Sequence, residues 1–241
     1  MEKAFDISMI ASFVPTLLGY LPVTLYILAV SLLFGFLLGL LLALPRIIYR
    51  IPVLNQFAKL YISFFRGTPI MVQLFIVFYG IPALTALAGI DTSKMDPLYA
   101  AIATYALSSA ARAAEIIRGG VNSVGRGQAE AAFSIGLNRG QTFRRIILPQ
   151  SLVQAFPNIG NMVIGFLKDT SLAFSIGVMD MSGRGQTLIT SSNHSLEVYI
   201  SLSVLYYAAA LLFECVFRWA EKRIKKDETR LVTVFDMSAH G

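Results

Sequence analysis

The sequence predicts an all-α integral membrane protein with five transmembrane helices, and three features of the chain predict it. Of its 241 residues, 56% are hydrophobic and only 14% charged, where soluble domains average ~45–50% and ~25%. Runs free of Asp, Glu, Lys and Arg cover 7–45, 67–90 and 146–167, with shorter ones at 97–111 and 198–213. A helix rises about 1.5 Å per residue, so roughly 18–20 apolar residues cross a hydrocarbon core of about 30 Å. The third feature is an asymmetry of basic residues between the two sides of these runs.

The elements follow in order. The first span is expected at about 16–44, preceded by Ile7, Ile10, Phe13 and Leu17 at helical spacing, which suits an interfacial helix lying on the bilayer. The start, Met1 to Asp6, has no basic n-region and no small-residue cleavage site follows, so no cleavable signal peptide is expected. The second span is placed at about 55–88. Within it Pro69 removes the backbone hydrogen bond to the carbonyl of Phe65, which invites a kink. The third, about 97–118, reaches spanning length only by including Arg112 and Glu115. The fourth, about 152–179, puts Lys168 about 11 residues, or roughly 16 Å, beyond Pro157 and so near the midplane. The fifth, about 197–220, carries Glu214 four residues before Arg218, an arrangement read as a structural pair. Residues 1–222 then form one transmembrane domain and 223–241 a cytoplasmic tail.

Orientation follows from the cations. Arg46, Arg50 and Lys59 sit at the junction of the first two spans, and Arg118, Arg126, Arg139, Arg144 and Arg145 lie between the third and fourth. Arg218, Lys222, Arg223, Lys225, Lys226 and Arg230 follow the fifth, whereas the opposite side has Lys3, Lys94 and Arg184. Cations concentrate on the cytoplasmic side, which puts the N-terminus outside and the C-terminus inside. The formal charge of +6 is thereby explained without nucleic-acid binding, for which no reading motif is present. Cys215 is the single cysteine, so no disulfide framework or paired-thiol metal site exists. His194 and His240 read as solvated loop side chains, with no metal site, and no nucleophile, base and orienting group converge as a catalytic set.

The loop between the third and fourth spans, about 119–150, is long enough to carry structure or function of its own. Residues 128–136 combine the helix formers Ala129, Glu130, Ala131 and Ala132 with a stop at Gly136, which predicts a short surface helix. Glu130-Ala131-Ala132, then Gly136, then after nine residues Ile146, Leu148 and Pro149 resemble the EAA signature of permease subunits of binding-protein-dependent ABC importers. Phe65-Arg66-Gly67-Thr68-Pro69, Gln73-Leu74-Phe75, Glu115-Ile116-Ile117-Arg118-Gly119-Gly120 and Leu167-Lys168-Asp169-Thr170-Ser171-Leu172 look like the polar amino-acid branch: the histidine, glutamine, arginine and cystine permeases. The run 168–175 with Gly177-Val178-Met179-Asp180 is nearest to the cystine type.

The resemblance implies a type I importer permease fold with a cytoplasmic coupling helix, and alternating access that moves a polar amino acid from an external binding protein into the cytoplasm. It also implies the partners: a second permease subunit, identical or homologous, two cytoplasmic ATP-binding subunits, an extracytoplasmic solute-binding protein, and the bilayer of a bacterial-type inner membrane. Glu130, Ala131, Ala132 and Gly136 are then the ATPase-coupling residues, with the two alanines allowing close approach. The chain lacks a Gly-x4-Gly-Lys-Ser/Thr phosphate loop, so ATP and Mg belong to the partner ATPase and this chain is not itself an enzyme. A secondary transporter or channel is the rival, but it calls for its own ion site or an inverted repeat, and neither is evident.

Ionisable residues inside spans are costly and face cavities or each other. Arg66, Gln73, Glu115, Lys168, Asp169, Thr170 and Ser171 are therefore the candidate substrate-binding residues. The charged ones have bland alternatives. Lys168 and Asp169 either hold the charged groups of an amino acid or fix packing between helices. Arg66 either lines the pore beside the kink or snorkels to the interface. Glu115 sits three residues from both Arg112 and Arg118, and an in-helix ion pair is the simplest account. Gly35 and Gly39 form a GxxxG pair that permits close helix contact within or between subunits.

Overall fold

The computed structural model describes residues 5–49, 51–92 and 94–239. Its helices are α1 Ile7–Leu18, α2 Leu21–Leu44, α3 Pro52–Gly67, α4 Ile70–Leu87, α5 Pro97–Ser123, α6 Arg126–Ser134, α7 Arg139–Thr142, α8 Leu148–Asp169, α9 Met181–Ser192 and α10 Ser195–Ala239. Wide π turns at Pro45–Tyr49 and Phe143–Ile147 and a 3-10 turn at Thr170–Ile176 connect some of them.

Local chemistry sets most of these boundaries. Asp6 starts α1 by accepting the amide and hydroxyl of Ser8, and those bonds hold its carboxyl below the usual carboxylate range. Asp96 caps α5 through the Leu98 amide and Asp180 caps α9 through that of Gly183. Proline stands in the first turn of α2, α3, α5 and α8, where its missing N–H costs nothing. Gly177 and Asn193 take left-handed conformations that end the 3-10 turn and α9.

Helix α5 is the axis of the bundle. Helix α2 packs on it more extensively than any other pair does, and the GxxxG glycines explain why. A Cβ on Gly39 would lie 2.7 Å from the Ala113 Cβ and 2.9 Å from the Ala110 carbonyl oxygen, so the backbones touch within one subunit. Helix α8 crosses the other side of α5 at Gly120, and α10 reaches α8 where Phe217 covers Gly160. The core joins Ile27, Leu28, Leu74, Tyr105, Phe166 and Leu167.

Among the described residues, three helices are long and apolar enough to cross a membrane: Leu21–Ile47, Ile70–Leu87 and Ser195–Lys225. The pair Arg139–Ile176 and Met181–Ser192, bent by 51°, makes up to a fourth. Helix α5 is less apolar because neighbours enclose it: Thr104, Ser108 and Ser109 are all buried.

Several boundaries differ from the sequence expectation. The first long helix begins at Leu21, not 16, because the chain breaks at Gly19 and Tyr20. The helix before it does not stand apart from the protein: Phe13 and Leu17 of α1 are buried with Met181, Val198 and Leu202. The expected second span is two helices, since Thr68 and Pro69 are extended. The fourth stops being α-helical at Asp169, and the fifth continues as one helix into the expected tail.

Candidate functional site

The end of α8 brings charges into the bundle. Asp169 turns toward α5, where Arg112 Nη2 lies 3.4 Å from its Oδ2 and the Tyr105 hydroxyl donates to its backbone carbonyl at 2.8 Å. The Arg112 guanidinium also lies over the Phe166 ring, 4.5 Å from its centroid. Asp169 is thus anchored across two helices. Lys168 points the other way, exposed, with no hydrogen-bond or ion-pair partner among the described residues. It opens, with Ser171, Phe174, Ser182, Gln186 and Tyr206, onto a cleft of about 350 Å³, the lower end of the usual small-molecule range of ~300–1,000 Å³. Thr170 is buried and its hydroxyl donates to the Leu167 carbonyl, while the half-buried Ser171 donates to that of Lys168.

Beneath this cleft is a buried carboxylate that sequence reasoning passed over. Asp180 Oδ2 accepts from the Thr24 hydroxyl at 3.3 Å and the Tyr206 hydroxyl at 3.4 Å, and its Oδ1 accepts from the Gly183 amide at 2.9 Å. Tyr206 and Ser182 share a further bond of 2.9 Å. One carboxylate therefore ties α2, α9 and α10 together and fixes two residues of the cleft wall. The sequence offered it only as the last residue of the cystine-type run 177–180, with no sign of these partners.

Gln73 is placed differently from the expectation of an open contact. It is 2% exposed, and its Nε2 donates to the carbonyls of Phe65 and Thr68 and to the Thr68 hydroxyl at 2.9–3.0 Å. The side chain supplies to the interrupted backbone a donor that Pro69 cannot. Arg66, at the end of α3, is exposed. Glu115 does not pair with Arg112: its two oxygens take Arg118, at 2.6 Å, and Arg46 from the π turn that follows α2. Arg112 is committed to α8 instead. Glu214 does pair with Arg218.

The loop helix α6 leaves Glu130 and Ala131 exposed but turns Ala132 inward. Phe133 and Ile135 are exposed beside them, the latter by 77%. Gly136, at φ +84°, ends the helix while Leu137 N–H reaches the Ala132 carbonyl at 3.1 Å.

His194 is not the solvated side chain expected. It is 7% exposed, with Nδ1 3.0 Å from Glu197 Oε1, which also accepts the Asp6 amide at 2.8 Å. His240 lies outside the described residues. No cluster of three metal-ligating side chains occurs among the described residues.

Comparison with known proteins adds to this geometry. The family model described as "binding-protein-dependent transport system inner membrane component" matches residues 35–226. The chain is 79% identical over 240 residues, the full length of both, to the L-cystine transport system permease protein TcyL of Bacillus subtilis. It is 34% identical to the glutamine transport system permease protein GlnP of Escherichia coli, over 92% of this chain and 98% of that one. Among solved structures, an amino acid ABC transporter crystallised with histidines superposes with a TM-score of 0.83 at 28% identity, covering 92% of this chain and all of the other.

Proposed function

The chain belongs to the family of binding-protein-dependent transport system inner membrane components, as a permease subunit of an ABC amino-acid importer, and from that premise we propose that its cargo is cystine. The 79% identity to an L-cystine permease is the observation that carries the proposal. The cleft supports it with chemistry. An unpaired ammonium at Lys168, with Ser171 and Tyr206 beside it, suits the α-carboxylate of an amino acid, while the Asp169 carboxylate faces Arg112 on α5 and not the cleft. In this reading Gln73 and Glu115 hold the helices that frame the path, while Thr170 and Ser171 shape the turn that presents Lys168.

The same reading assigns five crossings, with α5 as the third, residues 1–222 as the membrane domain, the N-terminus outside and the end of α10 in the cytoplasm. Helix α6 is the coupling helix. Its exposed Glu130, Ala131, Phe133 and Ile135 seat on an ATP-binding subunit, and the left-handed Gly136 returns the chain toward α8. Two such ATPases bind ATP and Mg, a second permease completes the pore, and an external binding protein delivers the cargo. Closure of the ATPases pulls on α6 and switches the pore between inward- and outward-facing states.

The test is cargo-stimulated ATPase activity of the reconstituted complex over a panel of amino acids, with its binding protein present. Cystine is expected to stimulate most, and stronger stimulation by another amino acid refutes the substrate assignment. Lys168→Met and Asp169→Asn should weaken the response in a complex that still assembles. Loss of assembly would show instead that Asp169 only fixes packing, through its ion pair with Arg112.

A further inference from the structure

Helix α3 has three faces. Ala58 and Ile62 are buried, with Tyr61 donating its hydroxyl to the Leu107 carbonyl of α5 at 2.8 Å. Val53, Phe57, Leu60 and Phe64 form a second, exposed apolar stripe. Gln56, Lys59, Ser63 and Arg66 form a third stripe at helical spacing, every member polar and exposed, with no hydrogen-bond or ion-pair partner among the described residues. Apolar residues turned to lipid account for the second stripe. The third stripe needs water or a polar partner beside it, because two cations and two uncharged polar groups on one side of a helix are costly against lipid.

The stripe also has a terminus. It runs up to Arg66, where α3 stops and Thr68 and Pro69 are extended. A Cβ on Gly67 would meet nothing within 4 Å, so open space adjoins the break, and Gln73 braces its far side. We infer that the Gln56, Lys59, Ser63 and Arg66 stripe of α3 is the cytoplasmic exit lane of the translocation path, a cation-flanked wall that takes carboxylate-bearing solutes. It rests on the reading of the chain as an importer permease and assigns to α3 the inward half of the path.

Single cysteines at Gln56, Phe57, Leu60 and Ser63, in a Cys215→Ala background, test this in the complete complex in inside-out vesicles, using impermeant anionic and cationic thiosulfonate reagents. Gln56→Cys and Ser63→Cys should label without nucleotide and become at least several-fold slower when the ATPases are trapped closed. Phe57→Cys and Leu60→Cys should stay unlabelled. At Ser63→Cys the anionic reagent should react about fivefold faster than the cationic one, the preference expected from one or two cations within a Debye length, and Lys59→Gln should shrink it. Equal labelling of both stripes, or rates indifferent to nucleotide, would mean a helix lying at the surface and would overturn the lane. Unlabelled polar positions would overturn it as well, by placing the stripe against another subunit. Labelling from the outer side in intact cells would refute the assigned orientation, a separate result from loss of cystine stimulation.

Discussion

Gly39 and Gly80 are the same residue in two membrane helices, and their surroundings give them opposite consequences. A methyl on Gly39 collides with Ala113 and the Ala110 carbonyl, whereas one on Gly80 meets nothing within 4 Å. Gly39→Ala should therefore lower the stability of the purified complex by about 1–3 kcal/mol through overpacking. Gly80→Ala should raise it by up to about 1 kcal/mol through helix propensity. Thermal melting in one detergent measures both, and equal effects would refute the α2–α5 contact. The small-residue pattern was legible in the sequence, but its partner helix was not. The same holds for Glu115: Arg118 is three residues away and could be foreseen, while Arg46 is 69 residues distant and only the α2–α5 contact brings it close. Asp180 was hidden for a related reason, since Thr24 and Tyr206 converge on it from distant parts of the chain.

At the level of elements, proline and glycine marked some breaks and concealed others. Pro69 announced the interruption between α3 and α4, yet it was read as a kink and the two helices as one span, although Lys59 and Arg66 lie in the first of them. Segment 170–176 carries no proline, so its 3-10 form had no local signal. The α6 helix was legible from its alanines and from Gly136, whose φ of +84° proline cannot adopt. Gly136→Pro cannot keep this turn and also removes the amide that donates to the Phe133 carbonyl at 3.0 Å. The complex should reach the membrane with cystine uptake abolished. Glu130→Lys should do the same without backbone strain, by reversing charge on the exposed face. Normal uptake in both would remove α6 from the coupling step.

For the whole molecule, the helical class followed from composition, because lipid leaves a backbone few ways to satisfy its polar groups. Which helix sits at the centre did not, since α5 is among the least apolar of the long helices. The orientation is checked with cysteines at Ser192 and Ser123 in the Cys215→Ala background: the first should label from outside in intact cells and the second should not. Reversal would invert the assigned topology; Ser93, the other position expected to label from outside, lies outside the described residues. The bond from the Asp6 amide to Glu197 spans 191 positions. At the ~5–20 residues per second of ribosomal synthesis, the first helix waits roughly 10–40 s before the last one exists to receive it. During that interval Phe13 and Leu17 need a temporary host, lipid or an insertion factor, so the finished contact also records that the final helix has arrived.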